Sequence, residues 1–271
     1  MQWTPEAEAA VKRIPFFVRK RVRARIEKEA GEAGKNLISL EDVNATKARY
    51  LESMESEIKG YQLDTCFGPS GCPNRATIGD ELIAKLESLL RKEDLLGFLK
   101  QRVKCDIKFH HEFRVTVADC PNACSQPQIK DIGIIGACLP KLSIEPCSRC
   151  EACVETCREQ AIILYEEQPV PNIDYRKCLG CGKCIPVCPT GTLVEGKKGY
   201  RVQVGGKLGR HPRLAREIPG IFDENQVLNI VKACIDFYKK NSISGERFAE
   251  ILTEAEFLRL SRLYAAREGK D

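Results

Sequence analysis

The chain lacks a hydrophobic leader. It opens Met1-Gln-Trp-Thr-Pro-Glu-Ala-Glu8, carries charge at Glu6, Glu8, Lys12 and Arg13, and has no apolar core of the kind a secretory signal needs. It also lacks any unbroken apolar run approaching the roughly eighteen residues of a membrane-spanning helix, so no membrane span is expected. Charge of one sign is not in large excess: 43 Lys and Arg stand against 38 Asp and Glu, a net +5 at pH 7. No RNA- or DNA-recognition pattern accompanies the basic residues, which leaves cofactor anions rather than nucleic acid as their expected partners. These absences point to a soluble, cytoplasmic protein in a reducing compartment. Its 271 residues allow about two or three small domains, each with a modest core.

Cysteine, by contrast, is abundant, at 15 residues. Cys147, Cys150, Cys153 and Cys157 form a C-x2-C-x2-C-x3-C run, and Cys178, Cys181, Cys184 and Cys188 repeat it, with Pro189 following. An earlier set, Cys66 and Cys72 with Cys120 and Cys124, has different spacing. A [4Fe–4S] cube takes four thiolates; three can come from one tight turn, while the fourth must return from a distant segment. Three ligand sets therefore predict three [4Fe–4S] clusters. Disulfides compete poorly, because thiols two residues apart share a metal more readily than they bridge distant segments. Zinc ribbons seldom use three evenly spaced cysteines followed by a fourth. Cys105, Cys138 and Cys234 fit no ligand spacing and read as small buried hydrophobes. His110 and His111 have no second group of metal ligands beside them.

The pattern predicts an α+β protein in three parts. Residues 1–50 read as a small helical unit: Thr4 caps a helix with Pro5 at its first position and acids in its first turn. Pro15 interrupts, a basic helix runs from Phe17 to Glu29, and Ser39 opens another helix reaching about Ile58. Residues 51–140 and 196–271 read as one domain split by an insertion, since neither segment has enough apolar residues to stand alone. The first holds a connector (51–65), a helical stretch from Gly79 to Val103, and strands at Phe113–Ala118 and Ile132–Ala137. The second holds a strand at Tyr200–Val204 and helices at 224–240 and 244–266. The insertion is residues 141–195.

That inserted segment resembles a bacterial-type ferredoxin with two [4Fe–4S] clusters. In that family the fourth cysteine of each run serves the other cluster. The resemblance implies one cube on Cys147, Cys150, Cys153 and Cys188, and another on Cys178, Cys181, Cys184 and Cys157. Arg158 departs from the family, which often has proline there. Cys66-Phe-Gly-Pro-Ser-Gly-Cys72 and Asp119-Cys120-Pro-Asn-Ala-Cys124-Ser-Gln-Pro127 resemble the paired motifs of the sirohaem-dependent sulfite and nitrite reductases. The likeness continues through Ile129–Gly136, Val204–Ala215 and Gly245-Glu-Arg-Phe248. It implies a [4Fe–4S] cube on the outer four cysteines, with Cys124 also bridging to sirohaem iron.

Sirohaem carries several carboxylates, and its pocket needs cationic donors. Residues 197–216 supply Lys197, Lys198, Arg201, Lys207, Arg210, Arg213 and Arg216 with no acid, and His211 lies among them. Lys207, Arg210, His211 and Arg213 are the expected cofactor contacts, with the Gly205-Gly206 backbone close to an anion. A solvated basic face is the plainer reading. In that family arginines and a lysine pair bind the sulfite oxygens. No counterpart of the arginine strand is found, and the lysine positions fall on Glu112 and Arg114, an acid facing an anionic substrate. Lys104 and Lys108 are the upstream substitutes.

Trp3-Thr-Pro-Glu-Ala-Glu8, Ile14–Arg19, Arg25-Ile-Glu-Lys28 and Ile38–Asp42 resemble the small helical domain that ends one subunit of light-independent protochlorophyllide reductase. A docking domain with a basic helix is the alternative. Three readings stay open: an anaerobic sirohaem reductase acting on sulfite or nitrite, a three-cluster electron-transfer subunit without sirohaem, and a tetrapyrrole-handling protein. An electron-donor protein or partner redox subunit is implied by the first two, in a homo- or hetero-oligomer.

Overall fold

The computed structural model describes residues 1–14 and 16–265, so the interruption expected at Pro15 and the helix end expected at 266 lie outside the described residues. The chain divides into two compact units, Met1–Ile58 and Lys59–Asp271.

In the first unit, β1 (Gln2–Trp3) leads into α1 (Pro5–Lys12), followed by α2 (Phe16–Glu32), β2 (Leu37–Ile38) and α3 (Leu40–Glu57). The start of α1 is built as its residues dictate: the Thr4 hydroxyl accepts the Ala7 N–H at 3.3 Å, and Pro5 occupies the first turn. Ser39 and Asp42 close a reciprocal cap on α3, with the Asp42 N–H on Ser39 Oγ and the Ser39 N–H on Asp42 Oδ2. Ala7, Val11, Ile26, Ala30, Ile38 and Val43 form the core. The basic helix α2 is only partly turned to solvent. Arg19 donates to the Ile14 and Lys12 carbonyls, Arg23 lies 4.4 Å over the Trp3 ring, and Arg25 pairs with Glu29. The unit reaches Ile58 rather than residue 50, because α3 runs unbroken to Glu57.

The second unit is built on a five-stranded sheet. Its elements are β3 (Tyr61–Thr65), α4 (Asp80–Lys92), α5 (Leu95–Arg102), β4 (Phe113–Ala118) and β5 (Ile132–Leu142). Then come α6 (Ala152–Thr156), β6 (Ile162–Ile163) and β7 (Asn172–Ile173). β8 (Leu193–Val204), β9 (Arg216–Phe222), α7 (Glu224–Asn241), α8 (Phe248–Ile251) and α9 (Glu254–Ala265) complete it. The sheet order is β3-β4-β5-β8-β9; the first three strands are parallel, and β8 and β9 run antiparallel to their neighbours. Tyr61, Phe113, Val115, Val117, Ile132, Ile134, Val202, Val204 and Ile218 alternate onto one face. Against them pack Leu82, Leu86 and Leu90 of α4 and Val227, Ile230, Val231, Ile235 and Tyr238 of α7, at helical spacing. Each such side chain contributes about 1.5–3 kcal/mol on burial.

Several elements differ from the sequence expectation. The helical stretch from Gly79 to Val103 breaks at Asp94, whose left-handed backbone (φ 42°) lets its carboxylate cap α5 at the Gly97 N–H. The stretch after residue 243 breaks likewise into α8 and α9. β5 and β8 are longer than expected because they pair with each other from Ile132↔Val204 to Leu142↔Leu193, with an irregularity between Cys138 and Pro140. The chain between Leu142 and Leu193 thus emerges from two directly paired strand ends.

Candidate functional site

The outer four cysteines lie where parallel strands end. Cys66 follows β3, its N–H bonded to the Val117 carbonyl at 3.0 Å, and a 3₁₀ turn at Gly68–Ser70 carries the chain toward Cys72. Cys120 follows β4. The loop to β5 is folded back by left-handed Ala123 (φ 52°) and Gln126 (φ 58°), with Cys124 exposed between them. The Cys66 sulfur accepts the Gly68 N–H at 3.2 Å and the Asp119 N–H at 3.3 Å. Asp119 ties the two segments together: its carbonyl accepts the Ala76 and Thr77 N–H groups at 2.8 and 3.1 Å. Its buried carboxylate contacts Arg75 Nε at 2.7 Å, a charge contact whose angle is not that of a hydrogen bond. Burial pushes the Asp119 carboxyl up, and Arg75 acts against that shift. Gly136 is required here, since a Cβ on it would lie 2.5 Å from the Asp119 carbonyl oxygen and 2.1 Å from the Thr77 hydroxyl. Burial raises the Cys120 thiol, and Cys66, Cys124 and Cys72 add to that by their charge, so the other three lie within the electrostatic neighbourhood of Cys120.

The insertion brings its two cysteine runs together in crossed fashion. The Cys184 thiol is pushed up to about 12, first by burial and then by Cys181, Cys178 and Cys157. Cys153 is raised by burial and by Cys147 and Cys188. Cys157 therefore lies within the electrostatic reach of Cys184 of the second run, and Cys188 within that of Cys153 of the first. Sulfurs again receive N–H groups: Cys147 from Arg149 at 3.3 Å, Cys157 from Ala161 at 3.3 Å, and Cys188 from Leu193 at 3.4 Å. At Cys188, burial acts upward, but the bonds from Leu193 and Thr190 outweigh it and the thiol falls below its ordinary value. Left-handed Arg149 (φ 56°) and Glu151 (φ 62°) make the turn that presents Cys147, exposed Cys150 and Cys153. The Arg149 guanidinium pins that turn to the Gln168 and Tyr165 carbonyls at 2.6 and 3.1 Å.

All fifteen cysteines are free thiols. Among the described residues no group of three His, Cys, Asp or Glu converges as a single metal ion requires. The fit to cubes rests on the donors: soft thiols gathered into sets, with N–H groups aimed at sulfur.

The expected anion contacts need correction. The Gly205 and Gly206 N–H groups already donate to the Asp131 and Lys130 carbonyls at 2.8 and 2.9 Å. A Cβ on Gly206 would lie 2.5 Å from the Gln128 carbonyl, so this glycine serves a close backbone crossing, not an anion. Lys207 pairs with Glu250 at 3.2 Å. Arg213 donates to the Gly205 carbonyl at 3.0 Å and to the Ala249 carbonyl. Arg201 and Arg216 pair with Glu217 and Glu254. The segment has no acid of its own, but the following strand and α8–α9 provide them. Lys207 and Arg213 pair as a narrow hairpin, and only its tip, with Arg210 and His211, is exposed and without a partner among the described residues.

The substrate-cation candidates lie on β4 and on the connection before it. Lys104 and Lys108 are exposed on the connection that leads into the start of β4, and Arg114 is that strand's second residue. Arg114 donates through its backbone N–H to Asp131 at 2.9 Å. Cys120 follows the other end, but the loop after it folds back: the Thr116 hydroxyl donates to the Ser125 carbonyl at 3.4 Å and the Ser125 hydroxyl to the Val117 carbonyl at 3.0 Å, so the residue after Cys124 lies beside the strand two residues from Arg114. Glu112 does not face a substrate: it is 2% exposed, and its carboxylate accepts the Lys59 and Gly60 N–H groups and the Gln62 amide. Sequence reasoning missed Asp119, which sits inside a quoted motif, Arg75, three residues beyond Cys72, and Cys138, which no spacing rule marks.

The family model described as the nitrite and sulphite reductase 4Fe-4S domain matches residues 90–270, and that of the proto-chlorophyllide reductase 57 kD subunit matches residues 3–47. The coenzyme F420-dependent sulfite reductase of Methanocaldococcus jannaschii is 34% identical over 137 residues, 51% of this chain and 22% of that protein. One subunit of the anaerobic sulfite reductase of Salmonella typhimurium is 25% identical over 127 residues, 45% of this chain and 36% of that protein. One subunit of the light-independent protochlorophyllide reductase of Halorhodospira halophila is 44% identical over 50 residues, 18% of this chain and 10% of that protein. The chain therefore spans no more than 36% of the length of any of these three relatives.

Proposed function

The chain belongs to the family of nitrite and sulphite reductase 4Fe-4S domains, and from that premise we propose that it is an iron–sulfur subunit of the sulfite reductase type. In this reading it carries three [4Fe–4S] clusters, two in the inserted ferredoxin-like segment and one on Cys66, Cys72, Cys120 and Cys124. The observation that carries it is the crossed grouping of thiols, Cys157 with Cys178, Cys181 and Cys184, and Cys188 with Cys147 and Cys153. An electron-donor protein or partner redox subunit supplies reducing equivalents, and sulfite or nitrite is the terminal acceptor. Bound sirohaem would supply the metal centre at which such an oxyanion is reduced. Exposed Cys124 is the residue that would reach it, and Arg210 and His211 are the exposed groups of the basic hairpin that would meet a carboxylate. The Gly68 and Asp119 N–H groups hold the Cys66 sulfur in orientation, and Asp119 keeps both motifs in register.

A second reading, a three-cluster electron-transfer subunit without sirohaem, is favoured by one observation. Lys207 and Arg213 are occupied inside the protein, which leaves few free cations for a polyanionic macrocycle. Anaerobic purification with iron and acid-labile sulfide analysis tests the shared claim: about twelve irons are expected, and clearly fewer than about ten after reconstitution would refute it. Acid–acetone extraction then separates the two readings. Tetrapyrrole in the extract supports the reductase. Its absence, from a host that loads a control sulfite reductase, leaves the electron carrier.

A further inference from the structure

The insertion is stitched to the reductase sheet along one seam. The Cys138 N–H donates to the Gly180 carbonyl at 2.7 Å, and Cys138 forms an isolated parallel bridge with Cys181. A Cβ placed on Gly182 would lie 3.3 Å from the Cys138 Cβ and 3.7 Å from its Sγ, so only glycine allows this approach without displacement. Nearby, the Tyr175 hydroxyl donates to the Pro140 carbonyl at 3.0 Å, and Arg201 donates to the Leu179 carbonyl at 3.3 Å. On its other side Cys138, 2% exposed, packs with Ala76 and Cys120, and Ile185 packs against the three. Cys138 thus touches a ligand of the outer set on one flank and the turn bearing the second run on the other.

Among the described residues, Cys147, Cys150 and Cys153 of the first run have no such hydrogen bond or bridge to the sheet. Its chain leaves the sheet at Leu142, about 13 Å along β5 from Cys138 at 3.3 Å per residue, and Cys147 lies beyond that point. Cys150 is exposed, whereas Cys184 of the second run is 7% exposed.

We infer that Cys138 is a positioning residue that makes the Cys157, Cys178, Cys181 and Cys184 set the immediate neighbour of the outer set, with the Cys147, Cys150, Cys153 and Cys188 set remote from it. This rests on the proposal that all three sets hold clusters. One electron then passes from the near cube, which is oxidised, to the outer centre, which is reduced. No bond is made or broken, and dithionite serves as the external reductant in the test.

The test is electron paramagnetic resonance of the dithionite-reduced full-length protein. Two neighbouring paramagnetic clusters broaden and split one another's signals, and that interaction is the readout. Iron analysis comes first: a wild-type protein lacking three clusters would mean that the underlying reading has failed, independently of the seam. Cys181→Ala, which removes the near cube, is expected to leave the outer centre with the signal of an isolated cluster. Cys150→Ala, which removes the remote cube, is expected to keep the interaction. Should either variant lose more than one cluster, Cys138→Val provides the reading with all ligands present: overpacking the seam is expected to weaken the interaction, and Cys138→Ala to retain it. Loss of the interaction in Cys150→Ala with retention in Cys181→Ala would overturn the assignment. So would an interaction that neither ligand variant changes, or one untouched by Cys138→Val.

Discussion

Replacing Glu112 separates two accounts of the same carboxylate. If it faced an anionic substrate, neutralising it would improve sulfite binding and leave the fold alone. In the structure it is a buried staple: Lys59 and Gly60 N–H groups lie 2.9 and 3.1 Å from Oε1, and the Gln62 amide 2.9 Å from Oε2. These bonds fix the start of β3 against the start of β4. Hydrogen bonds to a charged acceptor are worth about 1.5–3 kcal/mol each, but they are not additive, and water can reach the exposed Lys59. Glu112→Ala should therefore cost about 3–5 kcal/mol, because it strands buried donors. Glu112→Gln keeps one acceptor oxygen but turns an amide N–H toward other donors, and should cost about 1–3 kcal/mol. In a unit of this size each kcal/mol lowers the unfolding midpoint by about 2–4 °C, so Glu112→Ala is expected to melt about 10 °C lower. The assay is circular dichroism under argon at one fixed scan rate, because unfolding with loss of clusters is irreversible. Sulfite affinity is measured in parallel. An unchanged midpoint with tighter sulfite binding in Glu112→Gln would refute the structural role.

Three further outcomes are expected. Cys124→Ser should disturb the outer cluster and, where sirohaem is bound, the haem absorption as well, whereas Cys153→Ser should remove one cube and leave the haem spectrum nearly intact; metal analysis and optical spectra decide. Asp131 is raised from 3.8 to about 6, mainly by burial and against the pull of Arg247 and Arg114. Its folded form holds a proton that the unfolded form has lost, so its contribution to stability is complete below about pH 3.8 and declines up to about pH 6. The slope is about 1.4 kcal/mol per pH unit. Asp131→Asn should flatten that stretch of the curve, and equal slopes for variant and parent in urea titrations would contradict it. Arg210→Ala should leave the unfolding free energy within about 0.5 kcal/mol of the parent, as befits an exposed tip, and, where sirohaem is bound, lower the amount retained on gel filtration. Undiminished retention would remove Arg210 from the cofactor contacts.

Local chemistry was legible in the sequence. The Thr4 and Ser39 caps follow from short-range hydrogen bonding, and the period of α7 from its apolar spacing. The nearness of the first three cysteines of each run follows from their short separations, whereas the crossing of Cys157 and Cys188 was implied only by the resemblance to ferredoxins. What could not be read is set by partners remote in the chain. The run from Lys197 to Arg216 contains no acid, yet Glu217, Glu250 and Glu254 answer its cations from β9, α8 and α9. Gly196-Lys-Lys-Gly199 has the composition of a loop, and it is strand because β5 pairs with Lys198 and Gly199 and, beyond an irregularity, with Glu195. Glu112 looked misplaced beside a substrate because its donors, Lys59 to Gln62, come from another strand. Cys138 fits no motif, since its significance lies in what the folded chain sets on either side of it.

The paired ends of β5 and β8 have a bearing on ancestry. Leu142 and Leu193 face each other as hairpin neighbours do, so a two-residue turn could join them with the five-stranded sheet unchanged. Closure entropy rises only with the logarithm of length, and each doubling of a loop adds about 0.6 kcal/mol. A gene fusion that dropped a ready-folded electron carrier into such a turn would have burdened the host sheet little and kept the guest's termini together. Such an acquisition would have needed no rewiring of the sheet, only one patch of side chains, around Cys138 and Gly182, small enough for the two to settle against each other.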